Sequence, residues 1–287
     1  VRALAQQGDG LDLMATRFGF YRRNLVEATG TVYATAGQTG TSSALFDRDI
    51  SVRWNSSGYN STTSLVLSFN FATATVISNL FLLNHNLRQF RAFYNSVTAN
   101  TFTPDINVSG ASAVSHFFDF NYITVTYIEL QMDVAQLDGT FVAGSSTTEK
   151  VIGEVIVTRE LFSSTANPSA QNYSPIIRRE LVRHTMAGGG SSIYYLGDKF
   201  QASMKLPFIA TAFRDNLRSL YDGGVPFLFV PYPTTTVWDG AAFEVNFSGP
   251  FTFQWAGNDR AAQGWSGDLR LEQTAGGIGR YRHPDFL

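Results

Sequence analysis

Hydrophobic and polar residues alternate along much of this chain. Apolar side chains fall at Leu65, Leu67, Phe69 and Phe71, which is the period of a strand with one buried face. Short runs of this kind, separated by Gly, Ser and Asn, recur from Asn24 onward. Many short strands at such spacing predict a β-sandwich, with strands at 31–33, 51–54, 64–71, 76–83, 91–95, 116–120, 122–132 and 151–159.

The second half shows the same strand pattern with one interruption. Residues 176–184 predict one strand of a hairpin, and 193–196 and 199–206 predict the returning strand, with the run of glycines at 188–190 as the tip. Pro207 is suited to the first turn of a helix, and apolar residues then recur at helical spacing before two glycines, which predicts a helix near 207–221. Further strands are predicted at 226–230, 243–247, 251–255 and 267–273. The expected fold class is therefore all-β, a sandwich followed by a second β-rich domain with one packed helix.

The pattern also suggests where the domains begin and end. Residues 1–23 show no sustained period and are expected to form an N-terminal arm, followed by the β-sandwich over 24–162. Residues 163–175 are polar and contain little to bury, as expected of a linker. The second domain is expected over 176–287, with residues 276–287 as a C-terminal arm.

Composition and charge narrow the classes of partner. The net charge is −2 and only 15% of the residues are charged, so no basic field is available to attract nucleic acid. The chain has no cysteine, which removes disulfides, thiolate zinc sites and cysteine nucleophiles. No stretch approaches the roughly 18 consecutive apolar residues of a membrane span, so membrane insertion is not expected.

No catalytic motif is evident. The four histidines are scattered, and Gly188-Gly189-Gly190-Ser191 lacks the lysine of a phosphate-binding loop. No closely spaced carboxylate pair lies beside an aromatic platform, so glycoside hydrolysis is not expected. Trp238, between Thr236 and Asp239, is the best candidate for an exposed tryptophan that contacts a glycan, although packing in the core is the alternative.

Several segments of the first half resemble the discoidin, or coagulation-factor C-type, family of galactose-binding-like jelly rolls. That family has an Asp-Gly-Asn-like turn followed at a fixed distance by Thr-x-Trp, and Asp47, Asp49 and Trp54 fall at the matching offsets. The resemblance spans about residues 24–160, and the segments that carry it are 24–25, 44–54, 76–83, 84–87, 90–94 and 152–157.

The resemblance implies a structural calcium ion between the opening turn and the closing strand. Its ligands would be Asp47, Asp49 and Glu154, because hard cations favour oxygen donors from separate loops. Arg48 stands where the family has glycine and Val52 where it has threonine, so the alternative is a metal-free turn in which Arg48 pairs with Glu154. No other cofactor is expected.

The chain as a whole resembles tail or baseplate proteins of tailed bacteriophages. Residues 196–200, 226–233 and 264–272 are similar in style to the β-rich modules of such proteins. This resemblance implies a non-enzymatic virion structural protein that contacts copies of itself and other tail proteins. It also implies assembly in the bacterial host cytoplasm and a place in the virion tail. The alternative is a carbohydrate-binding protein that uses its jelly-roll loops to recognise cell-surface glycans.

The termini suggest where such subunit contacts lie. Arginine is favoured in interfaces because its planar guanidinium pairs and stacks. The expected N-terminal and C-terminal arms become ordered when a partner supplies contacts, since ordering each residue costs about 1 to 2 kcal/mol. The expected interface residues are Arg280, Tyr281, Arg282 and Phe286.

Overall fold

The computed structural model of the protein describes most of the chain in twelve segments. These are residues 18–34, 42–47, 53–56, 63–94, 106–109, 115–135, 148–164, 172–185, 189–231, 241–257, 264–274 and 281–282. None of the helices in these segments has the length and apolar character that crossing a membrane requires.

In the part of the chain that the structure describes, the first half has ten strands and one short helix. In chain order they are β1 Gly19–Tyr21, α1 Leu25–Thr29, β2 Gly30–Ala34, β3 Trp54–Asn55, β4 Leu65–Leu83, β5 Leu87–Tyr94, β6 Ile106–Ser109, β7 His116–Ala135, β8 Val151–Ile152, β9 Glu154–Thr158 and β10 Glu160–Ser163, with a 3-10 turn at Ser42–Leu45. One sheet has the order β2-β4-β7-β5-β6, with β9 beside β4, and β3 pairs with β8.

The long strands β4 and β7 connect the two layers of this sandwich. The first part of β4 pairs with β2 and with residues 127–132 of β7, whereas its last part pairs with β9 and with residues 116–119 of β7. The register shifts between Asn70 and Thr75 and again between Ile77 and Asn79. Side chains from both parts fill one hydrophobic core, in which Trp54 is completely buried.

The second half contains seven strands and the longer helix. They are β11 Tyr173–Thr185, β12 Ser191–Ile209, α2 Thr211–Gly223, β13 Phe227–Val230, β14 Ala241–Phe247, β15 Gln254–Ala256, β16 Gly264–Gln273 and β17 Tyr281–Arg282. The sheet order is β10-β1-β13-β14-β16-β12-β11, with β15 beside β16 and β17 beside β14. Phe213, Leu217 and Leu220 of α2 pack against this sheet. The predicted all-β class with one packed helix is therefore confirmed.

Two expected element boundaries differ from the structure. The helix begins at Thr211, not near 207, because β12 continues through Pro207 to Ile209 before Ala210 in extended conformation precedes the helix. Residues 18–21 of the expected N-terminal arm are buried, and β1 lies between β10 and β13. Residues 1–17 lie outside the described residues.

The two halves share a sheet and a hydrophobic cluster. Strands β1 and β10 come from the first half in sequence but belong to the sheet of the second. A small buried cluster also joins them, with members Tyr21, Phe81, Leu83, Phe117, Ile156, Leu228, Val230 and Ala242. The domain division at 163–175 stays a prediction, although residues 163 and 173–175 of that segment are in strands β10 and β11.

Candidate functional site

A three-residue bulge in β7 opens a cleft in the surface of the jelly roll. Ile77 pairs with Ile123, and Asn79 pairs with Asp119. Ser78 alone therefore stands opposite three residues of β7, Phe120 to Tyr122. Extra residues of this kind are pushed out of the ladder, and bulges often redirect side chains beside functional sites.

Buried hydrogen bonds hold the floor of this cleft. The Ser78 hydroxyl donates to Oδ1 of Asn79, and the backbone N–H of Glu160 donates to both oxygens, at 2.9 Å to Ser78 and 3.2 Å to Asn79. Asn79 in turn donates from Nδ2 to Oδ1 of Asp119 at 3.0 Å. The start of β10 and one carboxylate of the cleft are thereby attached to the strand opposite the bulge.

The cleft combines two aromatic residues with polar groups. It has a volume of about 550 Å³ and is lined by Ser78, Asp119, Phe120, Asn121, Tyr122 and Glu160. Tyr122 is 59% exposed, and its hydroxyl donates to the backbone oxygen of Glu160 at 3.1 Å, which fixes the position of the ring. The site offers an apolar ring face beside two carboxylates and an amide.

The structure brings together part of the predicted opening turn and closing strand. Trp54 of β3 pairs with Ile152 of β8, two residues before Glu154, and the 3-10 turn that precedes Asp47 contacts both β3 and β9. Glu154 is completely buried at the start of β9, whereas Asp47 is exposed. Trp54 is completely buried in the core of the sandwich.

The calcium prediction depends on residues that are only partly described. Asp49 and Arg48 lie outside the described residues, so both the calcium ion and the Arg48 alternative stay predictions. Within the described segments, no three side chains of metal-binding type converge on one point.

The predicted interface and glycan residues are also only partly described. Arg280, Phe286 and Trp238 lie outside the described residues. The backbones of Tyr281 and Arg282 form β17 and pair with Ala242 and Ala241 of β14 in the same chain. Their role in an interface stays a prediction.

A second exposed aromatic surface lies on the other half of the protein. Trp255 of β15 is 55% exposed and packs edge-on against Trp265, with ring centroids 5.6 Å apart. The guanidinium of Arg214 lies over the Trp265 ring at 4.1 Å from its centroid, and the Trp265 indole donates to the Thr211 hydroxyl. Trp265 is therefore covered by α2, and only Trp255 presents a large apolar face to solvent.

The cleft in β7 does not follow from the predicted strands. The one signal was the break in alternation at Asn121, which divided the run into two predicted strands, 116–120 and 122–132. The structure shows one continuous strand with the bulge at this break.

No protein-family model matches the chain, and no curated protein sequence matches it.

Several solved structures are similar to about half of the chain. Chitosan-binding module 1 from a chitosanase/glucanase of Paenibacillus sp. IK-5 is 16% identical with a TM-score of 0.38, and the match covers 47% of this chain and 98% of that one. The family 32 carbohydrate-binding module of Clostridium perfringens NanJ, in complex with galactose, is 16% identical with a TM-score of 0.37, covering 48% and 98%. A Ruminococcus gnavus GH29 fucosidase is 12% identical with a TM-score of 0.39, covering 48% of this chain and 26% of the fucosidase.

Proposed function

We propose that this protein is a non-enzymatic carbohydrate-binding protein and that the cleft in β7 holds the sugar. The observation that carries the proposal is the bulge itself, which places Phe120, Asn121 and Tyr122 opposite the single residue Ser78. The cleft's location on the strand differs from the sequence expectation, which placed glycan recognition in the jelly-roll loops.

The cleft matches the two kinds of surface that a sugar ring presents. One face of a pyranose carries C–H groups, which pack on an aromatic ring such as that of Tyr122. The hydroxyl groups of the sugar donate hydrogen bonds, and carboxylates accept them. Each carboxylate has about four positions at which it can accept a hydrogen bond. Asp119 and Glu160 supply the carboxylates, and the amide of Asn121 both donates and accepts. This arrangement binds and orients a neutral sugar.

The test is glycan binding by the full chain and its variants. A glycan array identifies a ligand, and isothermal titration calorimetry then compares the wild type with Tyr122→Ala and Tyr122→Phe. We expect Tyr122→Ala to weaken binding by about two- to tenfold, because ring packing contributes about 0.5–1.5 kcal/mol. Tyr122→Phe retains the ring and is expected to weaken binding by less.

Trp255→Ala is the matched control, since Trp255 is exposed to a similar degree on the other half. It is expected to leave the affinity unchanged. Equal affinities for wild type and Tyr122→Ala, or loss of binding in Trp255→Ala alone, would show that the cleft in β7 is not the glycan site.

A second candidate function is that of a structural subunit in a larger assembly. The specific observation in its favour is the ribbon of β11 and β12, which exposes apolar side chains at Ile176, Ile177 and Ile193. The finer expectation of a tail or baseplate component of a tailed bacteriophage stays a prediction. Electron microscopy of the purified protein tests this candidate function. A structural subunit is expected to form regular multimers, whereas separate monomers would contradict this function.

A further inference from the structure

Strand β11 is an edge of the large sheet. Of the strands that the structure describes, only β12 pairs with it. The third strand, β16, pairs with β12 only from Gln201 onward, so Arg178–Thr185 of β11 and the facing part of β12 form a two-stranded ribbon. A two-stranded ribbon is marginally stable in water unless a further strand or surface covers it.

Strand β11 also exposes apolar side chains beside its charged residues. Along β11, Ile176 and Val182 lie on one face, and Ile177 and Leu181 lie on the other. Three of these side chains are exposed, and that of Val182 is half-buried. A long edge strand with apolar side chains on both faces is a template for pairing with another strand.

We propose that β11 pairs with β11 of a second copy of this chain, antiparallel and across a twofold axis that passes through Arg179. The two ribbons then form one four-stranded sheet with the order β12-β11-β11-β12 across the dimer. The inference is independent of the proposed glycan site, because no residue of that cleft is in β11.

The sequence of β11 is self-complementary about residue 179. An antiparallel pair with Arg179 on the axis places Arg178 opposite Glu180 of the second copy, and the twofold repeats this pairing. It also places Ile177 opposite Leu181 and Ile176 opposite Val182, each twice. Opposite charges and apolar pairs at facing positions each stabilise an antiparallel sheet by about 0.2–1 kcal/mol.

Neighbouring registers lack this complementarity. Facing residues must point to the same side of the sheet, so the axis must pass through a residue. An axis at Glu180 places Arg178 opposite Val182 and Arg179 opposite Leu181. An axis at Arg178 places Ile176 opposite Glu180, so both alternatives put charges against apolar positions.

An acidic residue of β12 is in register with the arginine on the axis. Within each chain, Arg179 is in register with Asp198 of β12. The irregularity in the β11–β12 ladder skips Leu196 on β12, so the alternation along β11 is undisturbed. The proposed four-stranded sheet therefore has one acidic position beside each arginine on the axis.

A charge exchange tests the register in the full chain by sedimentation equilibrium. Arg178→Glu and Glu180→Arg each place like charges at two symmetric positions, and each is expected to weaken dimerisation about tenfold. The double variant R178E/E180R restores opposite charges and is expected to dimerise like the wild type. A wild type that stays monomeric at all concentrations overturns the proposal, as does a double variant as weak as the single variants.

A cysteine cross-link tests the axis directly, because the chain contains no cysteine of its own. Facing Cα atoms in an antiparallel pair lie about 4.5–5.5 Å apart, within the range that a disulfide spans. Arg179→Cys is therefore expected to form a covalent dimer on mild oxidation. Ile193→Cys, exposed on the other strand of the same ribbon, is the control and is expected to stay monomeric. Equal cross-linking of both variants overturns the proposed axis.

Discussion

The buried imidazoles of His85 and His116 lie nearly parallel, edge to edge, and share one hydrogen bond. Their ring centroids are 5.0 Å apart, and Nε2 of His85 lies 2.8 Å from Nδ1 of His116. The backbone N–H of Leu87 donates to Nδ1 of His85 at 3.0 Å. Since that nitrogen accepts, Nε2 of His85 carries the proton and donates to His116. The pair is thus assigned as two neutral rings, each with a definite tautomer.

This pair predicts that the protein loses stability as the pH falls below about 6.5. Burial lowers the pKa of His116 to about 4, and burial followed by the neighbouring His116 lowers the pKa of His85 well below its ordinary value. The unfolded chain therefore takes up protons between pH 6.5 and 4 that the folded chain does not. In this range, each of the two histidines lowers the free energy of unfolding by up to about 1.4 kcal/mol for each unit by which the pH falls.

The measurement is the free energy of unfolding by denaturant from pH 7 to pH 4.5. His116→Gln is expected to reduce the slope, while His184→Gln, at an exposed position, is expected to leave it unchanged. A slope that is equal in all three proteins contradicts the assignment of neutral rings.

Asn24 is predicted to be essential for the attachment of α1 to the sandwich. Its Nδ2 donates to the Val155 oxygen at 2.7 Å, and its Oδ1 accepts from the backbone N–H groups of Val26 and Val157. Asn24→Ala removes the hydrogen-bond partner of these buried backbone groups. It is expected to lower the free energy of unfolding by about 2–4 kcal/mol. Denaturant unfolding measures the cost, with Asn121→Ala at an exposed position as the control. A change below about 1 kcal/mol contradicts the prediction.

Phe20 is predicted to stabilise both halves together. Its ring is completely buried and packs against Phe18, Phe162, Phe213, Phe227 and Phe229. Phe20→Ala is expected to lower the free energy of unfolding by about 3–5 kcal/mol. Because its neighbour Tyr21 lies in the cluster that both halves share, hydrogen exchange is expected to show equal destabilisation of β4–β7 and of β12–β16. Destabilisation of β12–β16 alone supports independent domains divided at 163–175.

Phe208 is predicted to be replaceable by glycine with a gain in stability. It has a positive φ of 55°, and its side chain is 52% exposed. Phe208→Gly is expected to raise the free energy of unfolding by about 0.5–1 kcal/mol, and Phe208→Val to lower it by about 1 kcal/mol. Thermal unfolding measures both changes. Val76→Gly, in strand β4, is the control and is expected to lower stability.

The sequence determined which residues are buried and roughly where strands lie. Leu65, Leu67, Phe69 and Phe71 alternate in the sequence, and all four are buried in the core. The opening turn and the closing strand, which the resemblance placed together, do lie close to each other, since Trp54 pairs with Ile152.

The sequence also marked three breaks without indicating what happens there. It divided β4 between 71 and 76, β7 at 121 and β12 between 196 and 199. Each break lies inside one continuous strand, at or next to an irregularity in the ladder. A loss of alternation shows that a strand is disturbed, but a bulge and a chain reversal disturb the period in the same way.

Only the tertiary structure decided between these outcomes and thereby created the candidate site. Whether Asn121 ends a strand or bulges from it depends on its partner, and that partner, Ser78, is 43 residues away in the printed sequence. Likewise, three residues at 19–21 are too short to predict as a strand, and they form one because β10 and β13 lie on both sides. Alternation is a local property of the chain, whereas strand pairing joins distant segments, so the sequence determined the buried faces and the tertiary structure decided the register, the bulge and the cleft.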